Sequence, residues 1–207
     1  MKKIRFSSGI LSMLALVLLF ACASPISLTT WHDPNDHSKI TRVVIVPMFA
    51  KLEYVKPFEQ SMSSYFNQMG LKSLGSLDFL NPNKTYTIDQ VRAKIDSLGA
   101  DAVLIFKYTG TNKELDYTPP TYYGGYAGGW GWGGGFYGGY TGGYWTTTST
   151  VNLKALLYNV KNTTGPIWNA DVSVTDPNYV DQSALQLAQK IYADWLSYGL
   201  VNTPAKK

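Results

Sequence analysis

Two histidines and two carboxylates fall within one short stretch, Trp31-His32-Asp33-Pro34-Asn35-Asp36-His37. Imidazole and carboxylate are metal-ligand types, but Pro34 prevents a regular helix that would aim them at one point. The stretch reads as solvated linker, and no metal is expected. These are the only two histidines in the chain, so a Ser-His-Asp or Cys-His mechanism, which needs its base held beside the nucleophile, lacks a rigidly placed base. Glu53, Glu59 and Asp101 are the carboxylates that could serve acid/base work. Asp101 stands just before an apolar run, where aspartate accepts backbone hydrogen bonds at a strand entrance. The glycine-rich stretch has no Gly-Lys-Ser/Thr ending and no cation, so it is no phosphate loop. These residues give no reason to expect an enzyme, and no cofactor is expected. A periplasmic hydrolase is kept only as an alternative.

Cys22 is the single cysteine. Before it come a basic start, Met1-Lys2-Lys3-Ile4-Arg5, and an apolar run from Ile10 to Phe20 broken only by Ser12. That run suits a signal peptide and is too short for a spanning helix, which needs about 20 apolar residues. Leu19-Phe20-Ala21-Cys22 resembles the bacterial lipobox, with Phe20 bulkier than usual at its position. The resemblance implies removal of residues 1–21 and a lipid, palmitate among its acyl groups, on Cys22. Lys2, Lys3 and Arg5 then leave, so 18 basic residues become 15 against 14 acidic and the net charge falls from +4 to +1. No basic patch remains to favour nucleic acid, and no thiol remains for a disulfide or a redox pair. Ser24 follows the cysteine by two places, where an aspartate would favour inner-membrane retention. The expectation is an outer-membrane anchor on the periplasmic face.

From Tyr117 to Leu153 there is no charged residue. The heart of the stretch is four tetrads ending Gly-Gly-aromatic: residues 123–126, 127–130, 137–140 and 141–144. Low-complexity glycine reads first as a flexible loop. Yet Tyr122, Tyr126, Trp130, Trp132, Phe136, Tyr140 and Tyr144 are all even-numbered and would share one side of an extended chain. Of these, Tyr126, Trp130, Trp132, Phe136, Tyr140 and Tyr144 are the candidate binding residues. The expected form is a β-hairpin turning at Gly133-Gly134-Gly135. Trp132 would then face Phe136, and Trp130, Tyr126, Tyr140 and Tyr144 would face Gly138, Gly142, Gly128 and Gly124, so that rings cover bare backbone.

The elements that must position these residues follow from periodicity. Residues 22–40 read as a tether. Arg42-Val43-Val44-Ile45-Val46-Pro47 is a strand buried on both faces. Phe58, Met62, Tyr65, Phe66 and Met69 fall at helical spacing before Gly70. Leu71 to Leu77 suits a short strand. Thr87-Ile88-Asp89-Gln90 has the capping-box form, with Ile88, Val91, Ile95 and Leu98 as the buried stripe before Gly99. Ala102 to Tyr108 is a further apolar strand. Thr146 to Tyr158 and Trp168 to Val174 alternate as an antiparallel hairpin about Asn162-Thr163-Thr164-Gly165. A helix from about Asp181 to Tyr198, with Leu185, Ala188, Ile191, Tyr192 and Trp195 inward, stops at Gly199. The expected fold is a single α/β domain over 41–200, with a mixed sheet of about five strands, the insert 117–146 within it and a tail at 201–207.

The run ending in Pro47, the helix ending Asn67-Gln68-Met69-Gly70, and Leu98-Gly99-Ala100-Asp101-Ala102-Val103-Leu104-Ile105 together resemble a superfamily of bacterial lipoproteins. Its members include the curli-secretion lipoprotein and the N-terminal domain of the Tol translocation protein. The likeness spans about residues 42–108 and, more loosely, 150–198. It implies an α/β domain and a non-enzymatic part in envelope assembly or secretion through a protein partner. The insert and the brief second strand depart from the curli-type channel, so a ring-shaped pore is not implied. A glycan-binding module working through the aromatic insert is the alternative.

Overall fold

The structure is a computed structural model that describes residues 26–118, 121–126, 136–141, 144–161, 165–177 and 179–204; the strands between 116 and 146 enter as backbone register. The order is β1 (Ile26–His32), β2 (Arg42–Met48), α1 (Leu52–Gln68), β3 (Lys72–Gly75), a 3-10 turn (Ser76–Asp78), α2 (Ile88–Ser97), β4 (Ala102–Thr118), β5 (Thr121–Tyr126), β6 (Phe136–Thr141), β7 (Tyr144–Asn159), β8 (Trp168–Thr175) and α3 (Val180–Ser197). One six-stranded sheet runs β1-β8-β7-β4-β2-β3, and β5 pairs with β6 apart from it.

β2, β3 and β4 are parallel, with β2 between the other two. The crossover through α1 and the one through α2 therefore run in opposite directions along the sheet. Such crossovers are right-handed, which puts the two helices on opposite faces. Burial agrees. Val43 and Ile45 pack with Phe58, Met62 and Phe66 of α1 and with Leu187 and Ile191 of α3, while Val44 packs with Ile95 of α2. The continuous apolar run of β2 thus covers two cores at once.

Asp101 joins the two parallel strands at their start. Its carboxylate accepts from Thr41 N at 2.9 Å, Thr41 Oγ1 at 2.8 Å and Arg42 N at 2.9 Å, and its own amide donates to Arg42 O at 3.0 Å. The strand-entrance role expected of this aspartate is the one observed. The capping box of α2 is likewise complete, with Gln90 N donating to Thr87 Oγ1 and Thr87 N to Gln90 Oε1.

Two expectations need correction. Residues 26–32 are no tether: β1 is an edge strand on β8, from Ile26 opposite Val174 to His32 opposite Trp168, and Ile26 and Ile40 are buried. The turn residues at 33–36 masked a strand too short to show its alternation. In α3 Ala188, Ile191, Tyr192 and Trp195 are buried as expected, but Leu185 is exposed, and Ala184 and Leu187 complete the stripe at the three- and four-residue spacing that Leu185 breaks. Around it lies an aromatic cluster in which Trp168 meets Trp195 edge-on at 5.6 Å and Phe66 stacks on Trp195 at 5.5 Å. Trp168 Nε1 donates to Asp194 Oδ2 at 2.7 Å, and Thr30 Oγ1 donates to Asp194 Oδ1 at 3.2 Å, so one α3 carboxylate holds both β1 and β8.

Candidate functional site

β4 and β7 outrun the sheet. β2 leaves β4 at Lys107 and β8 leaves β7 at Thr150, yet β4 and β7 stay paired to Thr118 and Tyr144. Beyond those points no other strand pairs with either arm among the described residues. The eight residues from Thr111 to Thr118 extend this two-stranded ribbon by about 25 Å. It begins at a bulge, where the register shifts between Tyr108 and Gly110. Gly110 has φ +149°, a region open essentially to glycine alone. An apolar strand of the core thereby becomes a projecting arm.

The root of the ribbon borders an apolar groove of about 610 Å³. Val151, Leu153 and Val174 line it from the sheet, Tyr54 and Phe58 from the first turns of α1, and Val180 and Leu187 from α3. Phe49 and Phe106 meet Phe58 edge-on at 5.1 and 4.8 Å and fix its ring. Lys51 and Glu53 form an ion pair at 3.3 Å beside the groove, and Lys51 also lies 5.6 Å from the Tyr54 ring centre. Tyr108 in its lining, and Met48, Leu52 and Tyr179 at the ends of the neighbouring elements with Leu115 farther out on the ribbon, are each half or more exposed.

The candidate residues of the insert are divided by the structure. Trp130 and Trp132 lie outside the described residues, as do Cys22 and the turn at Gly133-Gly134-Gly135. Tyr126 is in β5, Phe136 and Tyr140 in β6, and Tyr144 in β7. The arms are antiparallel, as expected, but the register differs. Tyr126 is opposite Phe136 rather than Gly142, Tyr140 is opposite Tyr122 rather than Gly128, and Tyr144 is opposite Thr118 rather than Gly124. Tyr126 and Tyr140 oppose rings, whereas Tyr123 and Tyr137 oppose Gly139 and Gly125. The cause is the core: the pairing set from Gly110 opposite Asn152 continues without a slip through Thr118 opposite Tyr144 and on into β5 and β6. Strands anchored in the sheet dictate the register, and the complement of ring and glycine does not.

The polar candidates stay apart. His32 ends β1 and stacks on Tyr198 at 4.8 Å, while Asp33 and Asp36 accept the turn amides of Asn35 and Ser38. Among the described residues no three His, Cys, Asp or Glu side chains gather as a metal site. Glu59 is the buried carboxylate. It accepts from Ser76 N at 2.8 Å, from Ser76 Oγ, and from Leu77 N at 3.2 Å. Burial pushes its carboxyl above the usual value, and the Ser76 and Leu77 donors pull it back in part. Its partners are all its own chain's turn, so its role is to tie α1 to the turn after β3. The groove and its rim were not found from the sequence, because Leu52, Tyr54 and Tyr179 sit at helix starts where periodicity gives no face. Among the described residues no helix is long and apolar enough to cross a membrane.

No family model matches the chain, and no curated protein matches it. Among solved structures it is similar to a PelC dodecamer from Paraburkholderia phytofirmans, at 13% identity over 82% of this chain and 96% of that one, with a TM-score of 0.46. It is also similar to lipoprotein GNA1162 from Neisseria meningitidis, at 11% identity over 76% of this chain and 99% of that one, with a TM-score of 0.41.

Proposed function

We propose that this chain is a lipid-anchored envelope protein that works by binding another protein in an assembly or secretion apparatus, held by lipid on Cys22 to the periplasmic face of the outer membrane. The observation that carries the reading is the ribbon: two long strands leave the core, and among the described residues no further strand pairs with either outer edge. An open edge presents a row of unmatched backbone donors and acceptors and is a template for an added strand. Soluble proteins guard such edges with charge or proline; the β4 arm carries Lys113, Glu114 and Asp116, whereas the β7 arm bears no charge from Tyr144 to Leu153 and is the edge left unguarded. A strand-adding partner would stabilise a two-stranded ribbon that is marginal alone.

The test is site-specific photo-crosslinking in intact envelopes. A photoreactive residue at exposed Thr147, on the β7 edge, should give a discrete protein adduct; one at exposed Lys190, on the outer face of α3, should not. Ser149 N–H and C=O face the β8 side, so alternate residues of the arm face the open edge; Trp145→Pro removes one such outward amide and should abolish the adduct while the domain keeps its melting temperature. Equal adducts from both positions, or none from Thr147, count against the reading. The glycan reading predicts instead retention on envelope polysaccharide that is lost on substituting Trp130 and Trp132.

A further inference from the structure

The end of the sheet that carries the groove is also the end where the chain enters. β1 begins at Ile26 opposite Val174, a groove residue. β2 finishes there with Met48, α1 starts there with Leu52 and Tyr54, and the ribbon leaves there past Tyr108 and Leu115; Tyr179 is the residue before α3. All six are exposed. The far end of the same strands carries Arg42, Lys72 and Asp101 instead.

Only Ala23, Ser24 and Pro25 separate Cys22 from Ile26. Fully extended, that reach is about 14 Å. An acyl group on Cys22 therefore holds this end, and no other, against the bilayer. We infer that the groove end of the domain rests on the bilayer that receives the Cys22 lipid, with Met48, Leu52, Tyr54, Tyr108, Leu115 and Tyr179 at the headgroup border. The inference rests on the lipid-anchor reading given above.

The chemistry of the rim fits that surface. Tyrosine favours the half-wet interface, with its ring toward the acyl chains and its hydroxyl in water. Leucine and methionine beside it add apolar area that sets how the anchored domain sits on the bilayer. The charges nearby are of both signs, Lys51 being paired with Glu53, so the contact is apolar and salt leaves it in place. One consequence follows for the ribbon. It leaves the sheet from this same end and, at about 25 Å, outreaches the tether, so it bends at the Gly110 bulge to run along the headgroup surface, and a protein that pairs with it meets it there.

The test uses the full lipidated chain in phospholipid vesicles containing brominated acyl chains. Lipidated Cys22 has no free thiol, so a fluorophore is placed on a cysteine introduced at Leu52, at Tyr179 or, at the opposite end, at Lys72. Metabolic palmitate labelling of each variant reports the anchor independently. The expected result is roughly twofold loss of emission at positions 52 and 179, where burial of a few ångströms brings the probe to the bromines, and none at 72. Met48→Glu with Leu52→Glu should restore emission from a probe at 179. A palmitate-labelled protein with all three probes unquenched, or quenched alike, overturns the orientation and leaves the anchor standing. Absence of palmitate on Cys22 removes the anchor and the orientation with it.

Discussion

Replacing Gly75 with alanine should weaken the fold by about 2–3 kcal/mol, although the backbone there is ordinary extended chain, with φ −80° and ψ 155°. At such a position alanine usually stabilises, by about 0.4–1 kcal/mol, through the unfolded chain. The space decides otherwise. A Cβ on residue 75 would lie 2.4 Å from Glu59 Oε2, 2.8 Å from its Cδ and 2.9 Å from its Cβ. The carboxylate must swing away and give up hydrogen bonds from Ser76 and Leu77. Overpacking costs about 1–3 kcal/mol, and each hydrogen bond to a charged group contributes about 1.5–3 kcal/mol. A cleft of about 360 Å³ bordered by Glu59, Gly75 and Asp78 lets the displaced carboxylate reach water, which keeps the total near the lower sum. Glu59→Ala removes the two nearest atoms but leaves the 2.9 Å contact with its Cβ. The double variant should therefore be about 1–2 kcal/mol more stable than the two single losses added together. Urea unfolding followed by far-ultraviolet circular dichroism on all four proteins of the cycle measures this. Additivity within about 0.5 kcal/mol, or a Gly75→Ala protein more stable than the parent, would refute the reasoning.

Three further outcomes follow from single contacts. The Glu59 carboxyl is raised above its ordinary value of 4.5 by burial, so the folded chain binds this proton more tightly than the unfolded one; its contribution is full below the ordinary value and is lost as pH rises through the raised one. The stability difference between the parent and Glu59→Gln should accordingly fall as pH climbs from that ordinary value and then level off, and a difference independent of pH in equilibrium unfolding contradicts it. Trp168→Phe loses the 2.7 Å bond to Asp194 and part of a fully buried ring, for about 3 kcal/mol by urea unfolding; Asp194→Asn should then add little in that background, whereas full additivity would show the pair to be uncoupled. Gly110→Ala, at φ +149°, should cost about 1–3 kcal/mol and speed amide exchange in Thr111–Thr118 before the rest of the sheet; uniform exchange would mean the bulge does not set the ribbon.

Much of the domain was legible because its signals are local. Val43 to Pro47 is apolar without a break and has helices on both sides, and Thr87 with Gln90 makes its cap from side chains three places apart. Asp101 was legible from its place just before an apolar run, although its partners Thr41 and Arg42 lie 60 and 59 residues away. What escaped depended on distant pairing. β1 is held by β8 and by Asp194 from far along the chain, so its own residues resemble a linker. The insert's register was misjudged because a local rule, ring opposite glycine, was allowed to choose it. The choice had been made at Gly110 and Asn152, in strands whose inner halves are locked by the core. The groove could not be read at all, since it exists only where α1, α3 and the sheet meet.

The polar ties and the apolar surface lie at different ends of the strands, and that separation bears on function. At the far end Asp101 binds Thr41 and Arg42, Asn159 donates to Ser38, Lys39 donates to Gly199 O, and Asp194 holds Trp168. These contacts close the chain's long-range loops, and losing them leaves partly buried groups unmatched, so substitutions there act on folding. At the groove end Met48, Leu52 and Tyr179 are half or more exposed, and exchanging such side chains for polar ones usually stays within about 0.5 kcal/mol. A variant of this rim that changes membrane contact while its unfolding curve is unmoved would thus report on surface alone. A rim variant that unfolds early would instead show that the groove belongs to the core and that its exposure is incidental.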